Sequence, residues 1–218
     1  MNACPFHKLR DNLPELTERI AALSVDERGY PIPFFVAYMD GKPDFRVIDN
    51  DKWLACVKKS LCWVCGQAMG AHKTFLIGPM GSINRVSSEP PTHLDCALWS
   101  VKGCPFLSKP NMVRREDEDT EALEKNVAGV MIKRNPGAMA AWTTKTYSIF
   151  KTATGPLISI GDPEHVSWWR EGRPATRAEV LNSIDTGLPL LLDACRTAKE
   201  EAVLMKHKAA ALKLLPSQ

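Results

Sequence analysis

Long apolar runs and a dense disulfide framework are both missing from this 218-residue sequence. No apolar stretch approaches the roughly 18 residues that a membrane span needs. The N-terminal segment MNACPFHKLRDNLPEL also lacks the apolar centre of a signal peptide. We therefore expect a cytoplasmic protein without membrane contact. Hydrophobic residues make up 44% and charged residues 24% of the chain, a balance that is typical of folded domains and argues against disorder and coiled coil.

A large surplus of one charge is missing as well, since 28 basic side chains face 25 acidic ones and the net charge is +3. This charge permits contact with nucleic acid but does not demand it. Familiar catalytic motifs are absent: GPMG at 78–81 is neither a Walker loop nor a dinucleotide fingerprint, and the sequence has no G-x-S-x-G or H-E-x-x-H. These absences favour a binding protein over an enzyme.

The cysteines carry the strongest signal. Seven of them are spread through a chain that needs no disulfides at this length, which favours reduced thiols and metal binding. Cys62 and Cys65 form C-x-x-C ahead of Gly66, and His93 and Cys96 form H-x-x-C in a predicted helix. Such a set can converge on a tetrahedral zinc ion at about 2.0 to 2.3 Å. We predict a structural Zn²⁺ bound by these four residues, because a full set of protein ligands leaves no open coordination position.

Other cysteines are weaker ligand candidates. Cys104 lies eight residues beyond Cys96, within reach of replacing a ligand, and Cys4 and His7 form a C-x-x-H pair that cannot build a site alone. The alternative to a metal site is that the three central cysteines are buried apolar thiols and His93 is a hydrogen-bonded core histidine.

Residues 60–104 are expected to contain a tight turn at Cys62–Gly66, called the knuckle below, then a β-hairpin and a helix. This order resembles that of the treble-clef zinc fingers. That family includes nucleic-acid binding, protein-binding, nuclease and purely structural members, so the resemblance implies zinc without one activity. The segments CWVCG, FLIGPM, INR and EPP, followed later by GDP, WWREGR and ATRAEV, also resemble an uncharacterised group of proteins encoded by bacteria and their phages. This second resemblance implies origin and a shared architecture only.

The chain divides by composition into three parts. We predict an N-terminal hairpin and zinc treble-clef domain at 1–107, an acidic linker at 108–127 with six acids between Glu116 and Glu124, and a C-terminal domain at 128–218. A helix is predicted near 14–23. PIPFFVAYM and KPDFRVID predict two strands around the Asp40–Gly41 turn. Asp49, Asn50 and Asp51 supply capping side chains for a helix that leads into the CWVCG segment.

The C-terminal part is predicted as a small antiparallel sheet covered by helices. Three strands are expected at 127–134, 138–150 and 156–162, then a helix over EHVSWWREG. Thr176 and Glu179 have the spacing of a capping box for a helix that Gly187 ends, and a final helix spans about 188–214. The apolar side of this last helix can pack on the sheet or on a second copy in a homodimer. The whole is an α+β fold.

Three functions remain open. In the favoured one, the protein contacts nucleic acid: Lys73, Arg85 and Lys102 neutralise phosphates, and Trp63 or Trp99 stacks on a base unless both pack the finger onto its neighbours. In the second, a protein-interaction or inhibitor role, the surface includes Trp168 and Trp169 with the arginines that follow them, namely Arg170, Arg173 and Arg177.

A nuclease of the His-Asn-His type is the third and least favoured function. His72, Asn84 and Asp95 occur in a suitable order for it. The sequence lacks the Asp-His pair at the first position and a second histidine on the helix, and both departures count against catalysis.

Overall fold

The computed structural model describes residues 8–109 and 137–217 of the chain. Within these ranges the protein is a mixed α/β fold with a β-hairpin and two small antiparallel sheets, so the predicted α+β class is confirmed. Cys4 and His7, the predicted strand at 127–134 and nearly all of the predicted acidic linker lie outside the described residues.

The helices and strands follow one another in this order: α1 Glu18–Ala21, β1 Val36–Met39, β2 Lys42–Ile48, α2 Asn50–Lys59, β3 Lys73–Ile77, α3 Pro79–Asn84, β4 Val86–Ser87, α4 Leu94–Gly103, α5 Pro105–Ser108, β5 Met139–Thr144, β6 Tyr147–Thr152, β7 Gly155–Ile160, β8 His165–Arg170, β9 Arg173–Pro174, α6 Arg177–Asp193 and α7 Ala198–Leu212.

The N-terminal hairpin forms as predicted. β1 and β2 pair antiparallel, and Asp40 and Gly41 both adopt positive φ angles at the turn. The side chain of Asp49 then caps α2 by accepting hydrogen bonds from the backbone N–H groups of Asp51 and Lys52. The helix predicted near 14–23 is shorter than expected and spans one turn, capped by Thr17.

Strands from both sides of the undescribed segment share one sheet. Its order is β3-β5-β8-β9, and β3 pairs with β5 so that Phe75 lies opposite Trp142. The second sheet has the order β4-β7-β6. Phe75 and Trp142 belong to one core with side chains of α6, such as Val180 and Ile184. This shared core favours one cooperative unit, and the division into two domains at 108–127 stays a prediction.

The helix predicted over EHVSWWREG is wrong, because residues 165–170 form β8. The segment pairs along its length with β5, and alternate side chains therefore face opposite sides of the sheet. Trp168 is buried and its indole N–H donates to the carbonyl of Leu214 at 3.0 Å, whereas Trp169 is only half-buried. Of the two adjacent tryptophans, Trp168 is thus the one that packs in the core.

The predicted helix stop at Gly187 is also wrong. α6 begins with the predicted capping box of Thr176 and Glu179 but continues through Gly187 to Asp193. A side chain at Gly187 would place its Cβ 2.8 Å from Cγ of Met80, so the glycine allows close packing against α3. The expected single final helix is divided, because Thr197 caps a new helix, α7, by accepting from the N–H of Glu200.

One further segment differs from expectation. The single strand predicted at 138–150 is two strands, β5 and β6, which belong to different sheets. Residues 78–91 contain the helix α3, which begins at Pro79 and packs against both C-terminal helices. Across 8–109 and 137–217, every helix is too short or too polar to cross a lipid bilayer.

Candidate metal centre

A tight knuckle carries the first two cysteines. α2 ends at Ser60 in the left-handed conformation, and the N–H of Cys62 then donates to the carbonyl of Gln67 at 2.8 Å. The N–H of Gly66 donates back to the carbonyl of Cys62 at 2.8 Å. Gly66 has φ +73°, and a Cβ there would lie 2.7 Å from the ring of Phe34. This turn therefore requires glycine for both backbone conformation and space.

The second pair of side chains comes from the start of α4. His93 is the N-cap residue of this helix and Cys96 lies in its first turn, so the three-residue spacing places them on one side. Thr92, just before the helix, exchanges two backbone hydrogen bonds with Thr74 of β3.

The hairpin that we expected between knuckle and helix is not formed. β3 pairs with β5, and β4 pairs with β7, so the two strands of this stretch lie in different sheets. A paired strand from the C-terminal part takes the place of the hairpin partner, and the Thr74–Thr92 bridge brings the chain back to α4.

The structure brings the four predicted ligand residues together. The sulfur atoms of Cys62, Cys65 and Cys96 and a ring nitrogen of His93 all lie within 4.8 Å of one another. Cys62 and Cys96 are fully buried, while Cys65 and His93 reach the surface in part. In the part of the chain that the structure describes, this is the only group of three or more His, Cys, Asp or Glu side chains placed to hold a metal ion.

Hydrogen bonds orient the histidine and the innermost cysteine. His93 Nε2 lies 3.2 Å from the carbonyl oxygen of Ala68, which only accepts, so Nε2 carries the proton. The lone pair of Nδ1 is then free to face the thiols, and Nδ1 lies 3.4 Å from Cys65 Sγ. Cys62 Sγ accepts from the backbone N–H groups of Cys65 and His93, each at 3.4 Å, and lies 2.8 Å from Thr92 Oγ1.

The three thiols cannot all ionise easily without a cation. Hydrogen bonds from Cys65 and Cys96 lower the pKa of Cys62 far below its usual value. The hydrogen bond to Cys62, followed by the one to Cys65 and by burial, raises the pKa of Cys96 far above the ordinary range. A divalent ion at the centre of the group would favour the thiolate form of all three.

A fixed positive charge lies beside the cluster. Arg19 of α1 donates from Nη1 to Asp95 Oδ2 at 2.8 Å, and Asp95 is in the first turn of α4. This hydrogen bond raises the pKa of Arg19, and the negative charges of Cys96 and Cys65 add to the effect. A centre of three thiolates, one imidazole and Zn²⁺ has a net charge of −1, which the guanidinium partly offsets.

The residues present fit zinc. Thiolate and neutral imidazole are the ligands that tetrahedral structural zinc sites use, and the mutual distances and the free Nδ1 lone pair suit that geometry. Cys104 lies at the end of α4 and is not part of the group. The six described cysteines form no disulfide.

A surface cavity of about 420 Å³ opens next to His93. Its lining includes Arg19, Asp95 and His72, so two of the three nuclease candidates face the same space. His72 Nε2 lies 3.0 Å from Glu164 Oε2. Asn84 does not line the cavity; its side-chain oxygen accepts from the N–H of Val86 at 3.0 Å. The structure thus does not assemble the His-Asn-His set in one place.

The aromatic and basic candidates near the cysteine cluster contact other parts of the protein. Trp63 and Trp99 are 4% and 7% exposed, so both are packed in the interior rather than offering a stacking surface. Lys73 is buried and donates to the carbonyl of Gly70. Arg85 donates to Asp162 at 2.7 Å, and the ammonium of Lys102 lies 5.2 Å from the ring centre of Trp169.

The later arginines also have internal partners. Arg170 contacts Glu171, and Arg173 forms an ion pair with Glu179 at 2.6 Å. Arg177 donates to the carbonyl of Pro216 at 3.2 Å. Because these three arginines contact residues of the same chain, fewer of their hydrogen-bond donors are available to a partner than the sequence predicted.

Sequence reasoning missed the groups that surround the cluster, above all Thr92, Arg19 and the carbonyl of Ala68. Thr92 is adjacent to His93, but nothing in its spacing marks it as a partner of Cys62. Arg19 lies 76 residues before Asp95, and no sequence pattern connects the two.

Comparisons with known proteins find no match among family models, curated proteins or solved structures. The resemblance to bacterial and phage proteins therefore has no support from them. The Cys62-Cys65-His93-Cys96 cluster is compatible with a zinc finger, and on this geometry alone the chain has a candidate metal centre.

Proposed function

We propose that this is a zinc-stabilised binding protein in which Cys62, Cys65, His93 and Cys96 hold a structural Zn²⁺. The observation that carries the proposal is the convergence of these four ligand atoms within 4.8 Å. Bound zinc supplies a cross-link between the knuckle and α4, and binding free energy at such a site contributes to folding.

The cluster lies in a small core of its own, which explains what the metal would stabilise. Ile20 of α1, Val64 of the knuckle and Trp99 of α4 pack with the buried cysteines. Partly buried leucines of the N-terminal segment cover them, namely Leu13, Leu16 and Leu23. A zinc ion at this point therefore stabilises residues 60–104 together with the segment around α1.

The zinc part of the proposal is tested by metal content. Cys62→Ser and Cys96→Ser each remove a buried ligand, and we expect both to lower zinc from one ion per chain to near zero and to unfold residues 60–104. Cys195→Ser, at a half-buried thiol outside the cluster, is the matched control and keeps its zinc. Native mass spectrometry and elemental analysis measure the stoichiometry, and full zinc content in both ligand variants contradicts the proposal.

Nucleic acid is the proposed partner. The support is chemical: a net charge of +3 and exposed lysines of α7 that have no acidic partner among the residues in view. The buried tryptophans of the finger exclude base stacking there, so the contact would be made through phosphates. Fluorescence anisotropy with labelled single- and double-stranded DNA and RNA, at low and moderate salt with magnesium, tests this; binding that weakens with salt, without strand cleavage, is the expected result.

A protein partner is the second candidate, and one observation favours it. β6 is the outer strand of its sheet within the described ranges and exposes Ile149 and Phe150 by 41% and 39%. Such an edge can pair with an extended segment of another chain, including a second copy. Flat anisotropy curves at low salt would favour this candidate, and protection of β6 amides from hydrogen exchange on partner binding would identify the surface.

A further inference from the structure

The exposed face of α7 carries an ordered row of lysines. Lys199 and Lys206 lie in α7 and Lys213 is its C-cap residue; all three are exposed and follow one another at intervals of seven positions. Seven residues turn an α-helix by nearly two full turns, so the three side chains project from one side at intervals of about 10 Å. The row is about 21 Å long.

The surface between these lysines is free of acid. Ala202, Val203 and Ala209 are exposed residues beside these lysines, and none of them carries a charge. The carboxylates of α7 are confined to its first turn. One of them, Glu200, accepts from the N–H of Arg196 at 2.6 Å.

The lysine row also has no internal partner in the described ranges. Each ion pair recorded there joins other residues, and none involves Lys199, Lys206 or Lys213. Lys102, by contrast, lies over Trp169, and Lys145 pairs with Glu164 at 2.6 Å. Three unpaired cations in a row present a positive stripe that complements a polyanion.

The apolar side chains of α7 indicate whether its lysines suit a polyanion or a membrane surface as the partner. Leu204 and Ala211 are buried in the main core, and Leu212 packs against it. Helices that lie in a membrane interface insert a continuous apolar face into the lipid. The exposed apolar side chains of α7, Val203 and Met205 at 45% and 46%, project about 160° apart and form no such face. A helix that presents evenly spaced lysines without a continuous apolar face suits phosphates displayed along a strand.

We propose that the face of α7 formed by Lys199, Lys206 and Lys213 binds the phosphate backbone of nucleic acid, with each lysine contacting one phosphate. This inference rests on the proposed function, because it assigns the surface through which the zinc-stabilised protein would contact nucleic acid. It predicts affinity without strong base preference, because phosphate contacts carry no sequence information.

The test compares two triple variants of the full-length, zinc-loaded protein. The first is Lys199→Gln/Lys206→Gln/Lys213→Gln. The matched control is Lys8→Gln/Lys42→Gln/Lys151→Gln, which removes the same charge from exposed positions elsewhere. Zinc content and circular dichroism verify that both variants are folded. Anisotropy with a labelled 20-base-pair duplex is measured from low to moderate salt.

We expect the salt dependence of binding to weaken in the α7 variant: the magnitude of the negative slope of log K against log salt should decrease by about 2.7, since each phosphate contact contributes about 0.9 on duplex DNA. The control variant should keep most of the wild-type slope. An unchanged slope in the α7 variant, or an equal fall in both variants, overturns the assignment of this face but leaves nucleic-acid binding intact.

Two results would reach further. If the wild-type protein shows no salt-dependent binding at all, both this inference and the nucleic-acid part of the proposed function fail, whereas the zinc site is judged separately by metal content. Binding of the wild-type protein to vesicles rich in anionic lipid, lost in the α7 variant and without binding to the duplex, overturns the inference in favour of a membrane surface.

Discussion

The hydroxyl oxygen of Thr92 lies 2.8 Å from the sulfur of Cys62, and both side chains are buried. Next to a thiolate the hydroxyl donates the hydrogen, so Thr92 orients the innermost cysteine while its own backbone leads directly into His93. One residue thus connects a candidate ligand before α3, Cys62, to the candidate ligand at the start of α4, His93.

Thr92→Val removes this donor while keeping the shape of the side chain and the backbone pairing with Thr74. We expect zinc affinity to fall by about 10- to 100-fold, the usual effect of losing a hydrogen bond to a metal ligand. Competition against a chromophoric chelator measures the change. Thr92→Ser retains the hydroxyl and should stay near wild type; equal affinities for the valine variant and the wild type would show that the contact does not support the ligand.

Gly66→Ala is expected to destabilise the protein more than Gly41→Ala. Both glycines have positive φ angles, so alanine costs about 1 to 2 kcal/mol at either position. A Cβ at Gly41 meets nothing within 4 Å, whereas one at Gly66 meets the ring of Phe34 at 2.7 Å. Urea unfolding of the zinc-loaded variants measures the difference, which should vanish if the Phe34 ring moves aside freely.

Thiol alkylation should separate the cluster from the remaining cysteines. With zinc bound, we expect Cys62, Cys65 and Cys96 to react slowly with iodoacetamide at pH 8, and a strong chelator should expose them. Burial raises the pKa of Cys56 to about 12, with the charges of Cys62 and Cys65 adding to the effect, so this thiol stays neutral and unreactive at pH 8 while its helix is folded.

Peptide mapping by mass spectrometry follows each cysteine in that experiment. The same alkylation rate of Cys62 and Cys96 with and without chelator would contradict metal protection. Early labelling of Cys56 upon chelation would show instead that α2 unfolds together with the knuckle.

Two tryptophan substitutions compare an indole N–H that donates a hydrogen bond with one that does not. Trp168 donates to the carbonyl of Leu214, but the buried Nε1 of Trp99 finds no acceptor among the residues that the structure describes. We expect Trp168→Phe to cost about 1 kcal/mol more than Trp99→Phe, because it breaks a hydrogen bond and leaves a carbonyl unpaired. Chemical unfolding of the two variants measures this difference, and equal losses would contradict it.

Local signals were enough to predict several parts of this fold. The Asp40–Gly41 turn, the cap of α2 within 49–51 and the capping box of Thr176 and Glu179 each depend on residues within four positions of one another. All three are present, and among the three candidate caps of α2 the residue is Asp49. The two pairs of candidate ligands were each marked by a short spacing, but Cys65 and His93 are 28 positions apart and the two pairs were brought together by the zinc pattern. Their binding of zinc stays a prediction.

Other parts depend on distant segments and could not be predicted in this way. The run HVSWW is a strand because β5, more than twenty residues earlier, pairs with it. Gly187 continues a helix because Met80 fills the space beside it, about a hundred positions away along the chain. The pairing of Arg19 with Asp95 likewise depends on how α1 packs against α4.

The pairing of β3 with β5 has a consequence for synthesis from the N-terminus. All four candidate ligands have left the ribosome once residue 96 is exposed, but β3 acquires its partner only after residues 139–144 follow. At about 5 to 20 residues per second, the nascent chain holds β3 as an unpaired edge for some seconds. Zinc bound in that interval would fix the knuckle against α4 before β3 pairs. The supply of zinc during translation should therefore influence how much of the protein aggregates before β5 pairs with β3.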